Sequence, residues 1–323
     1  MSTVREIAKL ANVSIGTVSN YMNGIKVKAS TEIKIKEALH FLNGGGTYKA
    51  KTYNIGVCNE TLDEMYGVFM LSSIQRYSRE KGYNIFLMPE LSKVGEILDG
   101  VQALNIDGII AKVESIENNK NIEMIKSKNI PIVVYDGGIN SYACDQILVD
   151  NINGAYEATE LLLKNGHSRI GMITFNEVHF TSDERVRGYK RALRDYAIEV
   201  DNDFVKNCDY SKVQVLNSVK DLVDKGVSAI FCANYYMAKY TASAILELGL
   251  SVPNDISLVS FDNINHDVVL PYKLTCIKQP IKVYGEKIVD TLVSRIEGNK
   301  NRSMVIRLKT EFQDGNSIKN LNE

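Results

Sequence analysis

Five polar side chains occupy positions where they could together bind a small solute. They are Asp136, Arg185, Asn234, Asp262 and Gln279. Four of them follow apolar runs typical of strands (IPIVVYD, AIFCAN, ISLVSFD and LTCIK), and the fifth opens the helical stretch ERVRGYKRAL. Two carboxylates, two amides and a guanidinium can donate to and accept from hydroxyl groups at fixed angles. Tyr66, Phe69, Tyr235 and Tyr236 could cover the apolar faces of such a polyhydroxylated solute. Taken singly, an Asp or Asn after a strand is more often a helix cap.

The chain after residue 53 alternates short apolar runs with amphipathic helical stretches. Runs such as NIGVCN and DGIIAKV are hydrophobic throughout, which is typical of parallel strands covered by helices on both faces. The alternation occurs twice, from residue 54 to 150 and from about 154 to 275. It predicts an α/β body of two similar lobes with a cleft between them. Ligands of such sheets lie beyond the carboxyl ends of the strands, which is where the polar residues fall.

The first 24 residues carry a different pattern, that of two short helices joined by a tight turn. Thr3 and Glu6 have the spacing of a capping box, and Ser14 can cap a second helix. Val18 and Met22 are expected to face inward. The side chains left outward are those of Ile15, Gly16, Thr17, Ser19 and Asn20. A merely solvated helix would carry Lys and Glu there, so this face is predicted to contact another molecule.

Positive charge is concentrated at the beginning of the chain. Residues 1–52 carry a formal charge of +5, whereas the whole chain carries −1 and the remainder therefore −6. Lys and Arg that displace counterions supply most of the non-specific affinity for DNA. The asymmetry favours a DNA-binding module over the alternative, a solvated helical cap on an enzyme.

The segment VREIAKLANVSIGTVSNYMNG resembles the headpiece of the lactose repressor and galactose repressor (LacI/GalR) family of bacterial transcription regulators. It matches the family pattern Val-Ser-x-x-Thr-Val-Ser. The DNA-binding residues that we predict are Thr3, Ser14, Ile15, Gly16, Thr17, Ser19, Asn20 and Asn23. By this resemblance Ile15, Gly16 and Asn20 contact base edges in the major groove, while the hydroxyl-bearing residues hold phosphates. Asn prefers adenine, so the operator should differ from those read by the Arg that is common at position 20.

The resemblance continues over nearly the whole chain. IVVYDGG, ERVRGYKRAL, CANYYMA, VPNDISLVSFDN and LTCIKQP look like landmarks of the family's effector domain, which has the fold of periplasmic sugar-binding proteins. It implies that the positions of the five polar residues named first contact a small-molecule effector. Two departures leave the identity of the ligand open. Tyr235 replaces the usual Asp, and Gly137 replaces the usual Arg.

The domain boundaries follow from the same patterns. We predict a helix-turn-helix domain over residues 1–46, a short Gly-rich and basic linker over 47–53 and an effector-binding and dimerisation domain over 54–323. The first lobe is expected at about 54–150 and 280–300, and the second at about 151–277 and 303–312. The linker lacks the Pro-Asn pair and the leucine that form a DNA-wedging hinge helix in the resembling family, so we expect weaker bending of the operator.

Several other classes of site lack their residues. The five cysteines are scattered and lie mostly in apolar runs, so we expect buried free thiols and no disulfide or metal site. His167 is expected to be a structural hydrogen-bonding residue. Neither a cofactor motif nor a nucleophile elbow is present. No apolar run is long enough for a membrane span and the start is charged, so a cytoplasmic location is expected.

These observations together predict a ligand-responsive, sequence-specific DNA-binding regulator, a repressor of a carbohydrate-utilisation operon. Its expected partners are double-stranded operator DNA, a small-molecule effector such as a sugar, and a second copy of the chain in a homodimer. The alternatives are a solute-binding receptor, which would need a secretion signal, and a sugar-processing enzyme. Such an enzyme would need a distinct acid and base, which Asp136 and Asp262 supply only nominally.

Overall fold

The computed structural model describes residues 3–42, 52–58, 65–113, 118–139, 144–175, 179–263 and 269–323. Most of the predicted linker, residues 47–51, lies outside this range, and so do the three consecutive glycines before it. Within the range the chain forms an amino-terminal bundle of three helices and a larger α/β body.

The bundle, which we term the headpiece, consists of α1 (Val4–Leu10), α2 (Ile15–Met22) and α3 (Ala29–Leu42). The predicted caps are confirmed. The Glu6 amide donates to the Thr3 hydroxyl while the Thr3 amide donates to the Glu6 carboxylate, and the Thr17 amide donates to the Ser14 hydroxyl. Because each bond spans three residues, each helix start is fixed by local sequence.

The core of the headpiece is small and almost wholly aliphatic. Its buried members are Ile7, Ala8, Ala11, Val18, Ile35 and Ala38. The inward position expected for Met22 is wrong, since that side chain is 55% exposed. Tyr21 packs against the core in the last turn of α2 instead, one residue earlier on the helix and three from Val18, so the methionine is turned to solvent.

The body contains two six-stranded sheets. Their strands are β1 (Asn54–Cys58), β2 (Asn84–Met88), β3 (Gly108–Lys112), β4 (Ile132–Tyr135), β5 (Asp145–Val149), β6 (Ile170–Thr174), β7 (Val205–Asn207), β8 (Ala229–Cys232), β9 (Ser257–Phe261), β10 (Thr275–Lys278), β11 (Val305–Leu308) and β12 (Glu311–Gln313). The order is β11-β5-β4-β3-β1-β2 in the first sheet and β12-β10-β9-β8-β6-β7 in the second. All pairings are parallel except β10 with β12. The predicted α/β architecture is therefore confirmed.

Helices cover the sheets. They are α4 (Met65–Glu80), α5 (Val94–Ala103), α6 (Asn118–Ser127), α7 (Asn151–Lys164), α8 (Phe180–Asp195), α9 (Lys212–Asp224), α10 (Tyr235–Glu247) and α11 (Ile281–Ile296). Every residue of β3, β5, β6 and β9 is buried. Strands covered on both faces require apolar side chains in both directions, which is why their sequences are hydrophobic throughout.

The two sheets have the same strand order, so each strand of the first lobe has an equivalent in the second. The chain passes between the lobes after β5, after β10 and after β11. The expectation that residues 303–312 belong to the second lobe is wrong for β11, which pairs with β5 in the first sheet. Only β12 joins the second sheet. A periodicity pattern cannot distinguish these cases because both strands are short and half-exposed.

Several smaller expectations concern side chains in the body. All five cysteines are free and buried, as predicted, and burial raises the pKa of Cys58 and Cys232 to about 12. His167 is buried between the Ser228 hydroxyl at 2.8 Å and the Lys319 carbonyl oxygen at 3.0 Å, which confirms its structural role. Among the described residues, no helix combines the length and the apolar character that crossing a membrane requires.

Candidate functional site

A cavity of about 230 Å³ lies at the carboxyl ends of the strands, between the two lobes. It is smaller than the 300–1,000 Å³ or so typical of drug-sized ligands, and therefore suits a small solute. The structure brings all seven of the residues predicted to bind an effector to its wall. They are Tyr66, Asp136, Arg185, Asn234, Tyr235, Asp262 and Gln279.

The two carboxylates of the cavity occupy equivalent places in the two lobes. Asp136 follows β4 and Asp262 follows β9, which are equivalent strands. Both have a positive φ, 67° and 72°, a conformation that Asp tolerates better than most residues. The Asp136 amide donates to the Tyr284 hydroxyl at 2.9 Å, which in turn donates to the Ile147 carbonyl at 2.9 Å. A buried tyrosine of α11 thus holds the turn that presents Asp136.

On the side of the cavity formed by the second lobe, two side chains hold Asp262 in place. The Gln279 side-chain amide donates to its carboxylate at 3.1 Å, and the Arg185 guanidinium lies 3.9 Å away. Burial raises the pKa of Asp262, although Arg185 and Gln279 act in the opposite direction. The amide oxygen Oε1 of Gln279 is buried without a hydrogen-bond partner among the described residues. A ligand donor would satisfy this oxygen.

The helix α8 begins at Phe180, so the prediction that it begins at Arg185 is wrong. Arg185 lies in its second turn. Its Nε donates to Asn151 at 2.9 Å and one terminal nitrogen donates to the Ala233 carbonyl at 2.6 Å. The guanidinium stacks 3.7 Å above the Phe261 ring. These contacts fix an almost fully buried cation at the cavity wall, where it can donate to a ligand oxygen.

Asn234 has both of the roles that the sequence left open. It lines the cavity, and it is also the N-cap of α10, since its Oδ1 accepts from the Met237 amide at 2.9 Å. Its Nδ2 is the group left for a ligand oxygen. Tyr235 follows in the first turn of α10 and is buried.

Lys112 is a charged residue of the cavity that we did not predict. It ends β3, and its Nζ lies 3.9 Å from the Asp136 carboxylate and over the Tyr66 ring. The Tyr66 hydroxyl donates to Asp136 at 3.4 Å. The rule used for the other residues, a polar side chain at the carboxyl end of a strand, would have found Lys112.

Aromatic rings form one wall of the cavity. Phe175 and Tyr210 stack with centroids 4.1 Å apart, Tyr210 meets the edge of Tyr236 at 4.8 Å, and His179 lies 4.6 Å from Phe175. Phe180 also lines the cavity. Tyr210 follows the short strand β7, which no sequence pattern indicated, so its approach to the cavity was not predictable. Aromatic faces and carboxylates in one cavity suit a ring that is apolar on its faces and hydroxylated at its edge.

No cluster of three or more His, Cys, Asp or Glu side chains able to hold a metal ion occurs within the described ranges. The charged groups of the cavity are two carboxylates, one ammonium and one guanidinium, apart from the imidazole of His179. Lys112 lies close to Asp136, and Arg185 lies close to Asp262, so the positive and negative charges of the cavity compensate each other. The cavity therefore favours an uncharged polar solute.

The headpiece presents the eight predicted DNA-binding residues on its surface. All are exposed except Thr17, which is half-buried and whose hydroxyl lies 2.7 Å from that of Ser14. Ile15 is 52% exposed, in the first turn of α2. Exposed basic side chains accompany this face, namely Arg5, Lys9, Lys26, Lys28 and Lys36. A helix with short polar side chains and a basic surround suits the major groove.

Comparison with known proteins agrees with both regions. The periplasmic binding protein-like domain family matches residues 159–318. The HTH-type transcriptional repressor PurR of Aliivibrio salmonicida is 28% identical over 336 residues, which cover 99% of this chain and 100% of the relative. The structure of the transcriptional regulator CelR in complex with cellobiose is 25% identical, with a TM-score of 0.73, and the match covers 98% of this chain and 100% of that chain.

The chain is therefore similar, over nearly its whole length, to transcription regulators of the lactose repressor family. A further structure, a periplasmic binding protein/LacI transcriptional regulator from Alkaliphilus metalliredigens complexed with D-xylulofuranose, is 25% identical with a TM-score of 0.70. That match covers 83% of this chain and 99% of the other. Because the repressor from Aliivibrio is covered from end to end, the comparison supports a role as a ligand-responsive regulator.

Proposed function

We propose that this protein represses transcription by binding operator DNA as a homodimer, and that a sugar or sugar derivative bound between its lobes controls the binding. The observation that carries the proposal is the cavity, into which both lobes contribute a carboxylate from equivalent strands, Asp136 and Asp262. A solute that contacts both lobes binds one lobe angle better than another, and can therefore shift the population of the two states.

The chemistry of the cavity and the relatives together support a sugar as the ligand. The cavity combines paired carboxylates and cations with an aromatic wall. Two structurally similar regulators were solved with cellobiose and with D-xylulofuranose. The seven wall residues predicted from the sequence are the proposed effector contacts, and the exposed face of α2 is the proposed operator contact. Two headpieces would read two half-sites whose separation the dimer fixes, and operator binding would place the protein in the cytoplasm.

The proposal is tested with the purified full chain in two steps. Promoter fragments from the organism's own chromosome are screened by gel shift, and we expect one or a few palindromic fragments to bind with an affinity that falls steeply with salt. A thermal-shift screen of sugars and sugar phosphates then identifies the effector, because a ligand at 100 times its dissociation constant adds about 2.7 kcal/mol. Failure to bind any fragment, with or without these solutes, would contradict the proposal.

A further inference from the structure

Four polar side chains form a continuous row from the first-lobe sheet to the cavity. They are Arg307, Glu184, Asn151 and Arg185. The row begins in β11 of the first sheet, continues through α8 of the second lobe and the first residue of α7, and ends at the cavity wall. It therefore connects one lobe to a ligand-facing group of the other.

The first link is an ion pair between the lobes. The two terminal nitrogens of Arg307 donate to the two carboxylate oxygens of Glu184 at 2.7 and 3.1 Å. Glu184 is 2% exposed. A buried carboxylate that loses its cation keeps its desolvation cost, so this two-bond contact resists separation of the lobes.

The second link depends on the chemistry of Asn151, which is 1% exposed. Its Nδ2 donates to the Glu184 carboxylate at 3.1 Å, and its Oδ1 accepts from Nε of Arg185 at 2.9 Å. A carboxylate can only accept and a guanidinium can only donate, so only a group that does both can bridge them. Nδ2 also donates to the Val149 carbonyl at 3.3 Å, so Glu184 makes the shorter of the two contacts that set which way the amide faces, and the amide sets where Nε of Arg185 lies.

The third link fixes the ligand-facing end. Nε is held by Asn151, one terminal nitrogen is held by the Ala233 carbonyl at 2.6 Å, and the guanidinium carbon lies 3.7 Å from the centroid of the Phe261 ring. Its remaining terminal nitrogen, Nη2, makes no hydrogen bond to the described residues. The position of the guanidinium at the cavity wall is thus set by Asn151, Ala233 and Phe261, and Asn151 connects it to the rest of the row.

We propose that Glu184 is a positioning residue for the effector site, which holds Arg185 in its cavity-facing orientation only while Arg307 of the opposite lobe is in place. The inference rests on the proposed function, in which Arg185 contacts the effector. If Glu184 positions Arg185, the affinity of the cavity for the effector depends on the angle between the lobes. The row gives a physical path for that dependence, since Arg307 does not itself contact the effector-facing arginine.

The test follows the Nε–H group of Arg185 by NMR and needs no ligand. The full chain is labelled with ¹⁵N, and the resonance is assigned by its loss in Arg185→Lys. In the parent chain we expect slow exchange of this proton with solvent, because the group is buried and hydrogen-bonded. In Glu184→Gln the side-chain amide can donate as well as accept, and in Arg307→Met the buried carboxylate loses the cation that holds it in place, so in both variants we expect exchange at least tenfold faster.

Asp145→Asn is the matched control. Asp145 forms a buried two-bond ion pair with Arg295, at 2.6 and 2.8 Å, within the first lobe. Its loss removes a buried ion pair of the same kind and a contact with the Met304 amide at 2.9 Å, but no contact with the four side chains of the row, so the exchange of Arg185 Nε–H should stay within twofold of the parent. Backbone amide exchange in β8 reports global unfolding in all variants.

Two results would overturn the inference. One is an exchange rate of Arg185 Nε–H in both Glu184→Gln and Arg307→Met that stays within twofold of the parent. The other is an equal acceleration in Asp145→Asn, which would indicate general destabilisation. If one variant of the row does not fold, the other still decides. The proposed function fails separately, through absence of operator binding, so the two failures are distinguishable.

Discussion

The headpiece and the cavity are both binding surfaces, but they are assembled from opposite kinds of contact. On the headpiece, the groups that shape α2 bond to residues three positions away, as Ser14 does to Thr17. In the cavity, Asp136 is held by Tyr284, which lies 148 residues along the chain. The first surface depends on local conformation and charge, whereas the second exists only when both sheets are complete.

Two glycines give the largest predicted difference between these regions. A methyl group on Gly188 would overlap the Ile152 carbonyl oxygen where α7 and α8 pack. Gly188→Ala should therefore lower the free energy of unfolding of the body by about 3 kcal/mol, the upper end for overpacking. A methyl group on Gly16 has only ordinary contact with Ser14, and Gly16→Ala should add about 0.5–1 kcal/mol to helix stability.

Urea unfolding followed by circular dichroism checks the glycine comparison. The midpoint of the body transition should fall for Gly188→Ala and stay unchanged for Gly16→Ala, which should instead alter operator affinity. Equal midpoints for the two variants would show that the packing of α7 on α8 is not close enough to exclude a methyl group.

Removal of the cavity guanidinium should separate the two binding activities. Arg185→Ala is expected to abolish the effector response, with an affinity loss of about 3 kcal/mol or more than 100-fold, while operator binding is kept. Calorimetry with the sugar found by thermal shift and gel shift with the operator measure the two. Arg187→Ala is the control, because Arg187 lies on the same helix but is exposed and, among the described residues, forms an ion pair with Asp183 alone. If Arg185→Ala still released DNA at normal ligand concentrations, the effector would bind somewhere other than the proposed cavity.

A substitution on the headpiece should have the complementary effect. Asn20→Ala should weaken specific operator binding by about 1–3 kcal/mol and relax the preference at one base pair, without changing effector affinity. Lys28→Ala should instead weaken binding uniformly across DNA sequences and reduce the salt slope by about 1. Gel shifts against operators substituted one base pair at a time check this. If the base preference of Asn20→Ala were unchanged, Asn20 would not be one of the residues that read the operator sequence.

The smallest predicted effect concerns His167 in the second lobe. Burial lowers its pKa, so the folded state favours the neutral ring. The stability this contributes is full above the unfolded-state pKa of about 6.5 and is lost as pH falls through the lower folded-state value. His167→Asn should therefore show a smaller drop in Tm between pH 7.5 and 5.5 than the parent. An equal drop would assign the acid sensitivity to other groups.

Much of the fold could be predicted because the strands are buried on both faces. Runs such as Gly108–Lys112 must then be apolar at every position, which marks them in the sequence. The half-exposed edge strands carry no such mark, so β7 and β12 were not predicted and β11 was assigned to the wrong lobe. The lobe that β11 joins after the second crossing depends on its pairing with β5, about 160 residues earlier in the chain, which local periodicity does not contain.

The sequence by itself determined the headpiece, its caps and its charge, because a helix start and a surface charge depend on residues within one turn of each other. It also identified the seven cavity residues by their places after strands and by resemblance. Only the tertiary structure decided that Lys112 and Tyr210 share their cavity, that Asn234 is both cap and wall, and that Glu184 connects Arg185 to Arg307. The physical reason is that these contacts join segments that meet only after the sheets have formed and crossed.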